Sequence, residues 1–378
     1  MIILKTILDF ILAIIIFAII ITVVVTAHEL GHFFGAKKTK TRVDEFAIGF
    51  PPFIWKKKIK GTLFALGAIP FGGYNKIYGE DNTEEAKGSK DSFTSKTIPQ
   101  KLLIIILGVV GNFLFSIVIF YIVLISSGMN TTIGLMNPDY KFPLGHQENY
   151  LMIGAVEKDS PAGYAGVEAN DIILKLNGER IDSAIELKES LAEKKGEAIA
   201  LLVKDKETGE ESVRLINNNK DAIGIGYTNI SNISYNENLG DKIFAGIFHT
   251  YNFTDYSLST LGYMISKSFS EKDFSVAANA IAGPVGIFAV TKVSLGEGFI
   301  YMLNLLAIIS LALAVTNLMP LPALDGGKCI YLICQKINPK VFTDKLSENI
   351  DNVGFILLMG LGILIVVKDL FQFKDLIF

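Results

Sequence analysis

The chain is poor in cysteine and close to charge balance. Of its 378 residues two are cysteine, Cys329 and Cys334, too few for a disulfide framework. They stand five apart in a predicted helix, so they point in different directions and read as inert helical thiols. The net charge of −3 leaves no basic surplus to attract nucleic acid. No internal repeat is found, which argues against a transporter built from repeated halves. What the chain has in excess is apolar residues. They make up 50% of it, with a mean hydropathy of +0.43, beyond an ordinary soluble protein of this length.

Four apolar segments can each cross a hydrocarbon core of roughly 30 Å at about 1.5 Å per residue. They lie at about 6–36, 102–126, 299–318 and 353–367, the last only just long enough. The first has a weakly charged start, and its one small-residue site, Thr26-Ala27, is a poor place for cleavage; it reads as an uncleaved span. Lys37, Lys38, Lys40, Arg42, Lys56, Lys57, Lys58 and Lys60 follow span one. Lys328, Lys336, Lys340 and Lys345 fall between spans three and four. Both segments are therefore expected to be cytoplasmic, with the hydrophilic region 130–273 on the outer side.

Span one carries His28-Glu29-Leu30-Gly31-His32 near its cytoplasmic end. On a helix, positions i and i+4 share a face, so both imidazoles can reach one metal ion. This is the H-E-x-x-H pattern of zinc hydrolases. The bland reading is a polar helix end with two interfacial histidines. Two His and a Glu at the end of a membrane-length run are costly unless they are buried in protein and paired. Span three ends in Asn317-Leu318-Met319-Pro320-Leu321-Pro322-Ala323-Leu324-Asp325-Gly326-Gly327. The prolines break the helix, and the glycines are expected to free the backbone beside Asp325. His28, His32 and Asp325 then make the three protein ligands of a catalytic zinc site. His146 and His249 are expected on the outer side, away from it.

Val43–Trp55 and Thr62–Tyr78 read as short apolar strands with turns at Pro51-Pro52 and Gly72-Gly73. Such a sheet is too apolar for free solvation and is expected to fold back to membrane depth. It either holds an extended substrate by its edge or only anchors the loop. Residues 81–91 form a charged, solvated link. Asn112, after Gly108 and Gly111 in span two, either lines the active cavity or bonds a neighbouring helix. Residues 150–227 have the pattern of a small α/β module, with a Ser160-Pro161 helix start and an Asn177-Gly178 hairpin turn. From 239 to 282 an interfacial helix is expected, and Ala282-Gly283-Pro284-Val285-Gly286 breaks the helix before span three.

These motifs carry a resemblance. "SPAGYAGVEANDIILKLNGERI" resembles a bacterial PDZ domain, which implies a groove between the strand at 151–156 and the helix at 183–194. That groove either binds peptide ends or belongs to a steric cap that binds none. "HELGH", "GAIPFGGY", the PDZ-like module and "NLMPLPALDGGK" occur in the order found in site-2 proteases, and the chain resembles their bacterial RseP/RasP type. The sequence departs from that pattern in having room for one PDZ domain, and in "GVVGN", where a Gly-Pro precedes the Asn in relatives.

The resemblance implies that zinc is held by His28, His32 and Asp325 and that Glu29 is the catalytic base. It implies that Asn317 helps hold the substrate strand. Pro70, Phe71, Gly72, Gly73 and Tyr74 would belong to a membrane-reentrant β-loop. It also implies regulated intramembrane proteolysis of single-span membrane proteins, such as anti-sigma factors or signal-peptide remnants, in the bacterial inner membrane. The competing classes are a PDZ-bearing membrane scaffold without activity and a metal-binding transporter.

The expected fold is a polytopic α-helical membrane protein of about four transmembrane helices, with a membrane-associated β-loop and one extracytoplasmic PDZ-like α/β domain. The expected parts are span one (1–36), a cytoplasmic loop with the β-hairpin (37–98), span two (100–127) and the PDZ-like domain (130–230). An interfacial linker (231–297), span three (298–320), a cytoplasmic segment (321–350) and span four (351–372) follow.

Overall fold

In a computed structural model, described over residues 2–80, 86, 88–181, 183–205, 208–218, 222–275, 278 and 281–377, the elements follow in this order. Helix α1 (Ile2–Lys38) leads to strands β1 (Val43–Ile59) and β2 (Thr62–Ile77), then α2 (Ile98–Ser126). Next come β3 (Asn130–Gly134), β4 (His146–Val156), α3 (Pro161–Tyr164), β5 (Ile172–Leu176), β6 (Glu179–Arg180), α4 (Ala184–Glu193), β7 (Ala198–Lys204), β8 (Glu211–Asn217) and β9 (Ile225–Ser234). Helices α5 (Leu239–Glu271), α6 (Pro284–Glu297), α7 (Phe299–Leu318), α8 (Asp325–Ile337), α9 (Asp344–Gln372) and α10 (Lys374–Ile377) complete the chain. Of the charged link at 81–91, residues 81–85 and 87 lie outside the described residues. The chain divides into one unit of residues 1–123 with 268–378 and a second of residues 124–267.

In the first unit, Ile7–Lys38, Ile98–Ser126, Phe299–Leu318 and Asp344–Gln372 are long and apolar enough to cross a membrane. Large apolar side chains such as Phe355, Ile356, Leu357 and Leu364 are exposed on α9, a surface that suits hydrocarbon rather than water. Glycines let α1 and α2 approach closely. A Cβ on Gly111 would stand 2.6 Å from the Ala27 carbonyl oxygen, and one on Gly35 would stand 2.8 Å from the Ile104 Cα. Such small-residue contacts are how helices pack where water gives no drive to associate.

The 282–286 break begins a helix. The fully buried Asp369 carboxylate on α9 accepts hydrogen bonds from Gly283 N and Gly286 N, both at 2.8 Å. These are amides at the α6 N-terminus that have no partner within the helix. Helix α6 then packs against α1 through Phe288, whose ring meets Phe10 at 5.5 Å and Phe17 at 6.0 Å.

Strands β1 and β2 form one hairpin, closed by a turn that was not expected and folded over near the two that were. The chain reverses at Lys60-Gly61, both at positive φ. Pro51-Pro52 and Gly72-Gly73 lie inside the strands. Residues 45–48 pair on one side with 73–76 and on the other with 63–66, while 56–59 pair with 62–65. The two long strands thus bend into four segments side by side. Proline and glycine mark the bends: Gly49 has φ +77°, and a Cβ on Gly67 would collide with the Phe50 backbone. The punctuation read as turns therefore does mark changes of direction, with strand pairing continuing around them and backbones brought together.

The hairpin lies along α1. Thr22 Oγ1 donates to Pro70 O at 2.6 Å, Asn75 Nδ2 donates to Glu29 O, and Lys37 Nζ donates to Thr62 Oγ1 at 2.9 Å. Between Thr22 and Lys37 the helix rises roughly 22 Å. The bend at Pro70 therefore lies deep beside the apolar part of α1, and the Lys60-Gly61 turn lies at its lysine end.

The second unit holds a seven-stranded sheet in the order β3-β9-β4-β5-β7-β8, with β6 beside β5. Its core includes Leu151, Ile153, Ile173, Leu187, Leu201 and Ile216. A groove lies between α4 and the end of β4, with β9 as a further wall. Strand β4 is flanked by β9 along 146–156 and by β5 at 151–152, so its 151–156 stretch is not an open edge. The groove beside α4 is lined by Lys188, Leu191 and Ala192 on the helix, by Ala155 and Val156 of β4, and by Ile225 and Tyr227 of β9. On β9, β3 covers only 230–234, which leaves the start of β9 without a second strand among the described residues. His249 is also in this unit, buried with Nδ1 3.2 Å from Tyr235 Oη.

Candidate metal centre

Helix α1 brings His28 and His32 to one face, one turn apart. Their Nε2 atoms are 3.0 Å from each other. Asp325 Oδ2 closes the triangle at 3.2 Å from His28 Nε2 and 3.3 Å from His32 Nε2. These three residues are the one group of this kind among the described residues. Atoms about 2.0–2.1 Å from one tetrahedral ion lie roughly 3.3 Å apart, so the triangle has the size that zinc requires. The donors also suit the ion. His32 Nδ1 lies 3.0 Å from Ile104 O; a carbonyl only accepts, so Nδ1 carries the proton and Nε2 keeps its lone pair. The buried Asp325 Oδ2 faces two ring nitrogens without hydrogen-bond geometry to either.

Local sequence sets each position. Gly31 lets α1 meet the backbone of Leu107 and Gly108, where any Cβ would overlap. Asp325 is the first residue of α8. Helix α7 stops at Leu318, two prolines carry the chain away, and Ala323 takes a positive φ of 66°. Its amide donates to Asp351 Oδ1 at 3.1 Å. The two glycines act differently from expectation. Both are helical, and a Cβ on Gly326 would collide with the carbonyls of Leu318 and Met319, one on Gly327 with that of Leu321. They permit close approach; Ala323 makes the turn.

Glu29 follows His28 on α1, half-buried, and its own carbonyl is held by Asn75 of β2. Asn75 was not singled out from sequence, since a lone Asn in an apolar strand gives no signal of so distant a partner. One turn beyond Asp325, Lys328 Nζ pairs with Glu80 Oε1 at 3.1 Å. That carboxylate holds the ammonium's pKa above its ordinary value in spite of burial. Asn112 is fully buried, and its side-chain amide has no partner among the described residues. Its carbonyl accepts from Ser116 Oγ at 2.9 Å and Ser310 Oγ at 3.2 Å. Asn317 is half-buried in the last turn of α7, outside the triangle. Pro70 to Tyr74 lie on β2, with Pro70 and Phe71 exposed and Tyr74 Oη donating to Glu45 Oε1 at 3.0 Å.

Comparison with known proteins gives this geometry a family. The model of peptidase family M50 matches residues 16–361. A protein of Clostridium acetobutylicum that carries the provisional name zinc metalloprotease is 32% identical over 346 residues, which is 90% of this chain and 92% of that protein. Zinc metalloprotease RasP of Geobacillus kaustophilus is 25% identical over 424 residues, covering 92% of this chain and 94% of its own. A chloroplastic protein of Arabidopsis thaliana, provisionally named a membrane metalloprotease, is 26% identical over 352 residues, 90% of this chain and 76% of its own. The chain therefore belongs to peptidase family M50, the zinc-dependent site-2 proteases.

Proposed function

We propose that this multi-pass membrane metallopeptidase holds its zinc with His28, His32 and Asp325 and cuts a peptide bond within or near a membrane-spanning segment of its substrate. The triangle of three donor atoms 3.0–3.3 Å apart carries this reading. His28, His32 and Asp325 would hold the zinc, which would supply polarisation of the scissile carbonyl and a nucleophilic water at neutral pH. The Glu29 carboxylate, next to His28 on α1, would take a proton from the attacking water. It then delivers that proton to the leaving nitrogen. Water adds across the C–N bond, leaving a carboxylate and an amine.

A substrate helix has its backbone already hydrogen-bonded, so it must unwind before a carbonyl is accessible. The hairpin supplies a place for it to do so. Residues 73–77 form an outer segment of the folded sheet, and an extended chain can add there by main-chain hydrogen bonds. Pro70, Phe71, Gly72, Gly73 and Tyr74 shape that segment, and Asn317 serves as a side-chain anchor. The depth of the bend beside α1 supports a re-entrant loop within the bilayer.

The lysines at 37–60 and 328–345 support a cytoplasmic position for this end of the spans in a bacterial inner membrane. The second unit would then lie outside as a single PDZ-like domain. Its groove between α4 and the start of β9 suits a peptide end. Single-span proteins such as anti-sigma factors or signal-peptide remnants are the substrate class, in regulated intramembrane proteolysis. The test is cleavage of a tagged single-span protein in detergent by wild type and Glu29→Gln, with zinc content measured for both. Equal cleavage removes the catalytic role of Glu29.

A further inference from the structure

The hairpin is graded along its length. At its deep end, Phe50, Ile69 and Phe71 are exposed and apolar. At the other end, Lys56, Lys57, Lys58 and Lys60 are exposed around the turn, and none makes an ion pair with a described residue. Between the two zones stand Ile54 and Trp55, 68% and 50% exposed. The hairpin's two acidic residues are engaged elsewhere, Asp44 with Arg42 and Glu45 with the Tyr74 hydroxyl. The lysine end lies level with Lys37 and Lys38, where the charged end of α1 begins, because Lys37 Nζ bonds Thr62 beside the turn. Apolar rings deep, a tryptophan at the boundary and lysines above it follow the order of hydrocarbon, interface and headgroup in a leaflet.

We propose that Trp55 and the Lys56–Lys60 end of the hairpin form a docking surface for anionic phospholipid headgroups of the leaflet next to Lys37. The surface sets the height at which the hairpin sits beside α1. This rests on the re-entrant reading given above. A cluster of lysines at a membrane surface gains roughly a fivefold factor in affinity for anionic lipid per side chain, weakened by salt. Headgroups bound there would hold the lysine end in the interface and keep the bend from sinking or lifting. The hairpin bonds the Glu29 carbonyl through Asn75, so its height bears directly on the helix that carries the imidazoles.

Trp55 is the only tryptophan in the chain, which gives a local probe. The full chain is reconstituted in vesicles of phosphatidylcholine and phosphatidylglycerol, with one lipid at a time brominated near the headgroup end. Brominated phosphatidylglycerol should quench Trp55 as if enriched about threefold or more, and about 0.5 M salt should bring that enrichment toward one. The K56Q/K57Q/K58Q/K60Q variant should lose the enrichment, while the matching four Lys→Arg changes keep it. Equal quenching by both lipids in the wild type overturns the proposal. The lysines would then only keep an exposed strand edge from pairing with another chain. Enrichment that survives in the Gln variant overturns it as well. Absence of quenching by either lipid places Trp55 outside the bilayer and removes the re-entrant reading together with this one.

Discussion

A methyl group on Gly108 would overlap the ring of His32. The imidazole lies flat against the α2 backbone at that glycine, while its Nδ1 meets Ile104 O one turn earlier. Span two therefore sets the orientation of a ligand carried by span one. Gly108→Ala should push the ring off this position and lower zinc affinity and cleavage together by about 10–100-fold, the usual cost of disturbing a ligand's support. Gly360→Ala, where an added Cβ meets nothing within 4 Å, should leave both unchanged. Zinc per chain after dialysis, read beside cleavage, checks the pair.

Glu29→Gln and Asp325→Ala should separate proton transfer from metal binding. The first should lower cleavage by about 10²–10⁴-fold at unchanged zinc content. The second should lose zinc and cleavage together, because two imidazoles alone leave the ion short of a ligand. Unchanged zinc in Asp325→Ala would move the third ligand elsewhere.

Asp369→Ala should destabilise the first unit. The substitution leaves Gly283 N and Gly286 N without their acceptor in a buried setting, at about 1–3 kcal/mol for each amide. Asp369→Asn keeps an acceptor oxygen and should cost less. Unfolding midpoints in detergent distinguish them, and equal midpoints for wild type and Asp369→Ala would refute the role of this cap.

His249 makes the second unit sensitive to acid. Burial pushes its imidazole pKa down to about 4, against roughly 6.5 in an unfolded chain. Between these values the unfolded state binds a proton that the folded state refuses, so stability rises with pH there. The contribution is full above about pH 6.5 and is lost as pH falls toward 4, at most about 3 kcal/mol. Hydrogen exchange of α5 amides in the full chain should speed up over that window. His249→Gln should flatten the slope.

The metal triangle was legible because two of its members obey the helical period and the third follows a proline break. Both are local signals. The changes of direction in the hairpin were legible, but not the strand pairing that continues around them, because proline and glycine mark a departure from regular backbone without saying which kind. The chain turns back around Pro51-Pro52 and between Gly67 and Gly72 as well as at Lys60-Gly61, while the strands keep pairing through the fold. The groove between the strand at 151–156 and the helix at 183–194 was expected from the resemblance; its β9 wall was not, because "IGYTNISNIS" alternates weakly and is rich in Asn and Ser. With β9 unseen, nothing in the sequence covers the edge of β4. Asn75 and Asp369 act across long stretches of chain and have no pattern to betray them.

The contact of Gly326 with the carbonyls of Leu318 and Met319 has a mechanical result. No side chain cushions the start of the ligand-bearing helix from the end of the third span. A tilt or slide of that span, as when a substrate wedges in from the lipid side, would reach the carboxylate undamped. On the proposed reading, entry of the substrate and alignment of the metal would be geared to the same piece of backbone.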